Sequence, residues 1–508
     1  MREVEMKFRV SPPFQLPDVV GDKTGVVAVT KGAVKELCAV YWDTSDLRLA
    51  REGITLRHRS GEGDSDGWHL KLPVHEAGVP DAGIGARDEI HETGPDDSVP
   101  AALRDLVEVF LRAAVLGPVA TLQTIRTSYQ LLDGTGQPLA ELVDDLVSVI
   151  NQGHVAGRFR EIEVEDAGGG MGVLEDVGTV LRTAGAVGGE FVPKVVRALG
   201  PRATADPDPP KPSAVDPKDP ARLAVQAILR RYIRAFMAND QAVRRGADDG
   251  VHQMRVAARR LRSALKTFRP LVDTDWAQSL RDELSWVADS LGGARDAEVL
   301  LARLLGDLDS LPPEHVIGPV RARIEQTVGG DLATATETAL ATLRSERYLA
   351  LIDRLVAAGW DPMTKPLAEK PTSEVLPALV ADAWDRLAKG AAHVRRKDAT
   401  DDDWHQTRIR AKQARYSAEA VVPVFGKPAK TLARQAEAVQ ELLGEHQDAV
   451  VAADVLRRLA VAPRSGSIAF TLGLLYARQL QVLARTRDEF PALWSGANDS
   501  RHRKWLRT

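Results

Sequence analysis

Apolar and polar residues alternate in many short stretches of the first 200 residues. The first stretch is EVEMKF (3–8), where Glu3, Glu5 and Lys7 alternate with three apolar side chains. In a β-strand these two sets point to opposite faces. The same alternation recurs at residues 54–59, 68–72, 86–92, 124–131, 139–149 and 159–165. Two segments with helical spacing interrupt it, at 99–115 and 172–185, so the pattern predicts a β-rich region with two helices.

The pattern changes in the second half of the chain, where apolar residues return every three to four positions from about residue 221 to 490. This spacing predicts a largely helical region. The region also contains a repeat: DDGVHQMRVAARRLRSAL (248–265) aligns with DDDWHQTRIRAKQARYSA (401–418) at an offset of 153. LGGARDAEVL (291–300) then aligns with LGEHQDAVVA (443–452) at an offset of 152. Two matched segments in the same order predict a duplicated helical unit.

A proline-rich segment separates the two regions. PRATADPDPPKPSAVDPKDP (201–220) holds seven prolines, so it cannot continue a helix or join a central strand, and we expect a stiff, extended spacer. The chain is therefore predicted to be an α+β multidomain protein. Its domains are a β-rich domain at 1–200, a linker at 201–220 and a helical domain at 221–508.

Composition narrows the class of protein. The 508 residues are 44% hydrophobic and 27% charged, as in a globular protein. The single cysteine, Cys38, excludes an intrachain disulfide and a four-cysteine zinc site. No apolar run approaches the roughly 18–20 residues of a membrane span, and the charged first residues lack the apolar core of a signal peptide. We therefore expect a cytoplasmic protein without a membrane partner.

Charge is divided unevenly between the two halves. Residues 1–220 carry 23 Lys and Arg and 35 Asp and Glu, whereas the remainder carries 44 and 36. The first half could thus hold cations and the second half an anion.

The alternating strands of the first half carry charge of both signs on one face. Nearly every strand has a Lys or Arg, and glutamates cluster in the first and last strands. A sheet with one solvated face would also alternate, but it would not require this arrangement, which a closed barrel with a polar interior explains. Clustered carboxylates bind hard cations such as Mg²⁺ or Mn²⁺, and Lys and Arg bind phosphate oxygens. The pattern therefore predicts a site for a metal and a polyphosphate.

These motifs resemble the CYTH domain family, the triphosphate tunnel metalloenzymes. MREVEMKF carries an E-x-E-x-K signature, and the motifs that follow in family order are YWDTSDLRLAREGITLRHR (41–59), WHLKLP (68–73), LAELVDD (139–145), REIEVE (160–165) and FVPKVVRAL (191–199). The resemblance covers about residues 1–200. It implies an eight-stranded antiparallel tunnel, with flanking helices, that hydrolyses or cyclises triphosphates with a divalent metal.

The same resemblance implies roles for single residues. Glu3 and Glu5 would hold the metal with a glutamate of the REIEVE strand, where Glu163 is favoured over Glu161. Asp144 would orient the attacking water, with Asp145 as the competing choice that only strand register separates. Residues implied to hold the phosphates are Lys7, Arg57, Arg59, Lys71, Arg126 and Lys194. The register of Arg87 stays open, and His58, His69 and His91 are expected to face outward.

A basic ridge marks both copies of the helical repeat. Within an arc of about 100° on the first helix lie His252, Arg255, Arg259, Arg262, Lys266 and Arg269. The second copy has the shorter set His405, Arg408, Lys412 and Arg415, and Glu419 replaces the equivalent of Lys266. A solvated helix face would mix in acidic partners at i+4, and the first ridge has none, so we interpret it as an anion-binding surface. We do not expect nucleic acid as the ligand, because aromatic residues, 5% of the chain, do not interleave with the arginines.

The paired His-x-x-Arg helices resemble the CHAD domain, the conserved histidine α-helical domain, over about residues 219–508. The resemblance implies two pseudo-symmetric four-helix bundles and a basic cleft that binds inorganic polyphosphate. The matching positions are His252, Arg255, Arg259, Arg262, His405, Arg408, Lys412 and Arg415. Arg295 and His446 are weaker additions, because the GARDAE and GEHQDA segments could equally be structural and start a helix.

Together the two resemblances lead us to expect a metal-dependent inorganic triphosphatase, using Mg²⁺ or Mn²⁺, with a domain that binds polyphosphate. The alternatives are a nucleoside or thiamine triphosphatase, an adenylate cyclase that uses the same tunnel, and a polyphosphate-binding protein without catalysis. The sequence leaves open the preferred substrate, the metal, the polyphosphate length, the oligomeric state and any communication between the domains.

Overall fold

The computed structural model of the chain describes residues 2–74, 84–188, 192–247, 249–461 and 466–507. The side chains of residues 2, 3, 84, 85 and 507 are outside this description. The chain divides into two compact units, Met1–Asp208 and Pro209–Thr508. The division lies within the predicted proline-rich linker, which begins with the short 3₁₀ helix Gly200–Thr204 and ends in an isolated bridge between Pro220 and Pro371.

The first unit is a closed antiparallel barrel. Its strands are β1 (Arg2–Val10), β2 (Ala28–Asp43), β3 (Thr55–Ser60), β4 (Gly67–Pro73), β5 (Ile84–Glu92), β6 (Gly117–Leu132), β7 (Pro138–Asn151), β8 (His154–Asp166) and β9 (Val187–Gly188). They follow the order β5-β4-β3-β2-β6-β7-β8-β1, and the pairing of β1 with β5 closes the ring. The two-residue β9 is added on β1. The predicted eight-stranded antiparallel tunnel is confirmed.

The apolar faces of the strands point outward, where helices cover them. The helices of this unit are α1 (Arg48–Arg51), α2 (Ala101–Leu111), α3 (Gly170–Thr183) and α4 (Lys194–Leu199). Met6, Phe8, Leu142 and Ile162 of the strands share one core with Leu174 of α3. Because strand side chains alternate, the polar residues between them face the interior. Helices α2 and α3 occupy the two segments with predicted helical spacing.

One strand, β2, was not predicted from the alternation of apolar and polar residues. Its first nine residues, 28–36, are all exposed, and burial alternates only from Leu37 onward. The exposed portion still forms a ladder with β6. Alternation of apolar and polar residues depends on one face being buried, so it gives no signal where neither face is.

The second unit is helical. Its α-helices are α5 (Ala221–Arg244), α6 (Gly250–Thr267), α7 (Thr274–Asp309), α8 (Val320–Ile324), α9 (Gly330–Leu343), α10 (Glu346–Trp360), α11 (Thr372–Val394), α12 (Asp401–Ala420), α13 (Val422–Phe425), α14 (Lys427–Val461) and α15 (Ala469–Ala497). In the first bundle, α5, α6 and α7 pack successively against one another, and α9 and α10 complete the bundle. In the second bundle, α11, α12, α14 and α15 pack successively against one another. The predicted pair of pseudo-symmetric bundles is confirmed. Within the described residues, no helix is both long enough and apolar enough to span a membrane.

The repeated LGG and LGE segments lie inside long helices rather than at helix starts, so that alternative was wrong. Gly292 is in the middle of α7 and Gly444 in the middle of α14. Glycine inside a helix costs roughly 0.5–1 kcal/mol. Here it leaves bare backbone against an arginine: Arg255 Nη1 donates to the Gly292 carbonyl at 3.1 Å, and Arg408 Nε lies 3.6 Å from where a Cβ of Gly444 would stand.

Candidate functional site

The barrel interior holds a charged cavity of about 360 Å³. Of the residues that the structure describes, eight Lys and Arg and seven Asp and Glu line it. The cations are Lys7, Lys35, Arg57, Arg59, Lys71, Arg87, Arg126 and Lys194, and the carboxylates are Glu5, Glu62, Glu89, Glu141, Glu163, Glu165 and Asp166. All six residues predicted to hold phosphates are therefore in one cavity with two of the predicted metal ligands.

Three carboxylates meet on the β1–β8 side of this cavity. Oxygen atoms of Glu5, Glu163 and Glu165 all lie within 4.8 Å of one another. The register creates this cluster, because Glu5 is opposite Glu165 and Glu163 is two residues away on the same face of β8. Of the other predicted metal ligands, the Glu3 side chain lies outside the described residues. Glu161 is outside the cluster and is fully buried.

Two lysines lie against these carboxylates. The Lys7 ammonium is 3.0 Å from Glu5 and also contacts Glu163. Lys194, at the start of α4, contacts Asp145, Glu161 and Glu163 at 2.8–2.9 Å. Burial alone would lower the pKa of Lys7, but Glu163 and Glu5 outweigh it and raise that pKa. Burial would raise the pKa of Glu163, yet Lys194 and Lys7 hold it well below its ordinary value. Glu163 is therefore ionised.

Arginines gather on another side of the cavity. Arg57 Nη1 donates to the Tyr41 hydroxyl at 3.2 Å, and Arg59 forms an ion pair with Glu62. Burial, with the nearby charges of Arg57 and Arg126, lowers the pKa of Arg59 to about 10. The Nε atoms of Arg57 and Arg59 are buried without a hydrogen-bond partner among the described residues. Buried donors are nearly always paired, so these two are available to an anionic ligand.

Neighbouring aspartates on β7 differ in orientation. Asp145 is fully buried and accepts two hydrogen bonds from Arg126, at 2.9 and 2.7 Å. Asp144 instead accepts two from Arg160, whose guanidinium also reaches the Phe14 carbonyl. The structure therefore corrects the register assumed from the sequence: Asp144 is not brought to the cavity, and Asp145 contacts two of its lining cations, Arg126 and Lys194.

Several lining residues were missed from the sequence. Lys35 is on the unrecognised strand β2, and Glu165 follows the favoured Glu163 by two positions, a spacing that could have revealed it. Glu89 lies 3.6 Å from Lys71 and 2.8 Å from His69 Nδ1. His69 therefore shares a face with Lys71 and does not point outward, contrary to the sequence expectation.

The structure also gives the positions of Arg87, His91 and His58. Arg87, whose register was left open, lines the cavity. His91 packs against His69 with ring centroids 4.8 Å apart and ring planes tilted by 53°. His58 lies edge-on to the buried Trp68 at 5.4 Å, on the outer face of the barrel wall.

In the helical unit, the two repeat copies bring four cations together where α6 contacts α12. We call Arg255, Arg259, Arg408 and Lys412 the α6–α12 cluster. Burial lowers the pKa of Lys412 to about 7, with further lowering by the charges of Arg408, Arg259 and Arg255. The Nε atoms of Arg259 and Arg408 are buried without hydrogen-bond partners in the described part of the chain. Nearby acids are peripheral: Asp296 pairs with Arg255 but is three-quarters exposed.

The other residues of the predicted basic ridge lie outside the α6–α12 cluster and have their own neighbours. His405 Nδ1 lies 2.9 Å from Gln447 Oε1, and Arg415 forms ion pairs with Glu419 and Glu437 at 2.6 and 2.7 Å. Burial lowers the pKa of His252, and the charge of Arg295 adds to the effect. Arg262 is half-buried on the same face of α6 as the cluster.

The two weaker additions pack differently. His446 is fully buried and stacks on Trp404 with centroids 4.8 Å apart, and burial and Arg487 lower its pKa to about 4. This side chain fits a core position. Arg295 forms ion pairs with Glu298 and Asp249 at 2.9 and 3.7 Å.

Comparisons with known proteins agree with this architecture. Residues 1–182 match the CYTH domain family, and residues 227–457 match the CHAD domain family. Uncharacterized protein Rv2226 of Mycobacterium tuberculosis is 35% identical over 514 residues, which covers 96% of this chain and 95% of that protein.

Two solved structures are similar to part of the chain. PptA from Streptomyces chartreusis is 26% identical with a TM-score of 0.45, covering 55% of this chain and 100% of that chain. The CHAD domain from the plant Ricinus communis is 27% identical with a TM-score of 0.45, and the match covers 57% of this chain and 95% of that chain. By its family matches and its full-length relative, the chain belongs to the proteins that join a CYTH domain to a CHAD domain.

Proposed function

We propose that the chain is a divalent-metal-dependent triphosphatase that hydrolyses inorganic tripolyphosphate inside the barrel. The observation that carries the proposal is the cavity itself, where a cluster of three carboxylates and arginines with unpaired buried donors line one space. Carboxylates bind hard cations, and guanidinium groups bind phosphate oxygens. A triphosphate with a divalent ion satisfies both sets of groups.

The donor set fits Mg²⁺ or Mn²⁺. Glu5, Glu163 and Glu165 supply three oxygen ligands close enough to share one ion. A metal bound there would polarise a phosphoryl oxygen and lower the pKa of a bound water. Lys7 and Lys194 contact the same carboxylates, so these two ammonium groups would move toward the substrate when an ion takes their place.

The cations that line the cavity would stabilise the negative charge of the substrate. Arg57, Arg59, Lys71 and Arg126 would hold the phosphate oxygens and offset negative charge as it develops in the transition state. Asp145 would act by position, because it fixes Arg126 through two hydrogen bonds. No covalent intermediate is required, since water attack at a terminal phosphorus completes the reaction.

The lining favours an inorganic substrate. Tyr41 is the one aromatic residue in the described lining of the cavity, and it is already bonded to Arg57. A nucleobase or thiazolium ring would usually stack on an aromatic or apolar wall, and the walls here are charged. Nucleoside or thiamine triphosphate hydrolysis and cyclisation of ATP are the alternatives.

The test of substrate class is the initial rate of phosphate release from tripolyphosphate, ATP and thiamine triphosphate at equal concentrations, with Mg²⁺ or Mn²⁺. We expect the highest kcat/KM for tripolyphosphate. A higher value for either organic substrate, or pyrophosphate with cyclic AMP as the products of ATP, would assign the tunnel to an alternative function.

We also propose that the α6–α12 cluster binds inorganic polyphosphate. Four cations with two buried, unpaired Nε donors support this, because like charges crowded together are stabilised by a polyanion. Binding of long-chain polyphosphate to the full-length protein should weaken as salt rises. Arg259→Ala should weaken it strongly, whereas Arg457→Ala, on the exposed face of α14, should not. Binding without any phosphate release would favour the non-catalytic alternative.

A further inference from the structure

A second pocket of the helical unit lies at the carboxyl end of α6 and has no role in the proposals above. It has a volume of about 440 Å³, and α6, α7 and α11 contribute to its walls. Asp382 is the one carboxylate in its described lining. Five cations line this pocket, which we call the Arg281 pocket. They are Lys266, Arg269, Arg281, Lys365 and Arg386.

The positive charge of the Arg281 pocket is only partly offset by the protein, through Asp382 in the lining and the charge of Asp282 on Arg281. Throughout the described ranges, none of the five lies within ion-pair distance of a carboxylate oxygen. Arg281 and Lys365 donate to neutral oxygens, Gln278 Oε1 at 2.6 Å and Thr274 Oγ1 at 2.7 Å. The Nε of Arg281 is buried and, in the described structure, has no hydrogen-bond partner. A buried, unpaired guanidinium donor facing clustered positive charge is a site for an anion.

The duplication of the helices supplies an internal comparison. A pocket of the same volume, about 440 Å³, lies where α12, α14 and α5 meet. At the repeat offset of 153, Lys266 corresponds to Glu419. Glu419 accepts hydrogen bonds from Arg260 at 3.1 Å and from Arg415 at 2.6 Å, and Glu437 pairs with Arg415 at 2.7 Å. In the second pocket Arg260 and Arg415 are therefore paired with carboxylates, whereas none of the five cations of the Arg281 pocket is paired in this way.

The first pocket also continues the cationic face of α6. Arg255 and Lys266 are eleven residues apart on this helix, which is about 16 Å along its axis. Arg262 lies between them on the same face, and its charge acts on both Lys266 and Arg281. A chain of linked phosphates can follow such a face from one end to the other.

We propose that the Arg281 pocket binds the phosphate groups of an inorganic oligophosphate. These groups belong to a free short chain or to the end of a long polyphosphate that also occupies the α6–α12 cluster. Only the second source rests on the proposed polyphosphate binding, and neither depends on chemistry in the tunnel.

The test measures how fast single lysines of the full-length protein react with an acetylating ester, resolved by mass spectrometry. EDTA is present so that turnover in the tunnel is suppressed, and the probes are tripolyphosphate and a long-chain polyphosphate. At a probe concentration ten times Kd, acetylation of Lys266 and Lys365 should slow about tenfold. Lys430, which lines the second copy of the pocket, is the internal control and should change much less.

Variants assign the protection to the pocket. Arg281→Ala should abolish it, and the exposed Arg386→Ala gives a second variant if the first disturbs folding by circular dichroism. Arg434→Ala, an arginine of the second copy, should leave it intact. Equal slowing at Lys266 and Lys430, equal protection in Arg281→Ala and the parent, or no protection by either probe would overturn the proposal.

The two sources give different results with Arg259→Ala. Protection by tripolyphosphate that survives this substitution identifies a free short chain as the ligand. Protection by the long chain alone, lost in Arg259→Ala, identifies the end of a bound polyphosphate. Failure of the proposed polyphosphate binding is observed separately, as an unchanged affinity of the long chain for Arg259→Ala.

Discussion

At the scale of single residues, two adjacent aspartates of β7 have different surroundings. Asp145 holds Arg126 at the cavity wall, whereas Asp144 pairs with Arg160 away from the cavity. We expect Asp145→Asn to lower kcat/KM for tripolyphosphate by about 100-fold, because Arg126 and Lys194 lose the charge that orients them. The matched Asp144→Asn should stay close to the parent, since partly exposed ion pairs contribute little. A larger loss in Asp144→Asn would show that the register is wrong.

A second residue-scale prediction concerns protonation of Lys412. Burial and the charges of Arg408, Arg259 and Arg255 lower its pKa to about 7, against one nearby acid, Asp448. A bound polyanion favours the charged form and raises this pKa, so binding takes up a proton when the pH is above about 7. Polyphosphate affinity should therefore fall as the pH rises from 7 to 9.

Titration calorimetry in two buffers with different ionisation enthalpies measures this proton uptake directly. Lys412→Arg keeps the charge at every pH of the experiment, so its affinity should be nearly independent of pH. Equal pH dependence in the parent and in Lys412→Arg would contradict the assignment.

The sequence predicts which side chains line the cavity only where polar and apolar residues alternate clearly along a strand. Glu5, Lys7 and Arg57 follow from alternation within a strand, and each lines the cavity. The choice between Asp144 and Asp145 depends on which face of β7 is buried against α3, and alternation within a strand of mixed polar residues does not fix that face.

At the scale of elements, long helices and buried strands were predictable and exposed pairing was not. Helices α2 and α3 have one buried face, so their spacing is visible in the sequence. The exposed half of β2 is held by its backbone ladder with β6, and backbone hydrogen bonds leave no mark in the side-chain pattern. With β2 unrecognised, Lys35 could not be assigned to the cavity.

A buried network joins three helices of the first bundle. Asp240 of α5 accepts hydrogen bonds from Arg244 at 2.7 Å and from the Tyr348 hydroxyl of α10 at 2.8 Å, and Arg244 also donates to the Leu343 carbonyl of α9. Asp240 and Arg244 have side chains with no exposed surface. Removing one charge of a buried pair leaves the other uncompensated.

We therefore expect Asp240→Ala to lower the free energy of unfolding of the helical unit by about 3–5 kcal/mol. Urea denaturation followed by far-ultraviolet circular dichroism measures the change. Asp488→Ala, on the exposed face of α15, is the control and should have little effect. A change below about 1 kcal/mol in Asp240→Ala would mean that the network is not buried as described.

At the scale of the whole molecule, the chain consists of two units that each have their own core. Apolar clusters surround the barrel in residues 1–208, and a separate cluster joins α7, α14 and α15 in residues 209–508. A unit with its own core can fold alone. Expressed separately, residues 1–208 should hydrolyse tripolyphosphate, and residues 209–508 should bind polyphosphate. Loss of either activity on separation, with folding intact, would show that the units act together.

The central claim is that a cluster of three carboxylates and arginines with buried, unpaired donors make the barrel a metal-dependent triphosphatase. The most direct measurement is phosphate release from tripolyphosphate with Mn²⁺ or Mg²⁺, with and without EDTA, for the parent, Glu163→Gln and the control Glu175→Gln on the exposed face of α3. We predict release that EDTA abolishes, that Glu163→Gln lowers by at least about 100-fold, and that Glu175→Gln leaves unchanged. No release from the folded parent with either metal, or full activity in Glu163→Gln, would contradict the account.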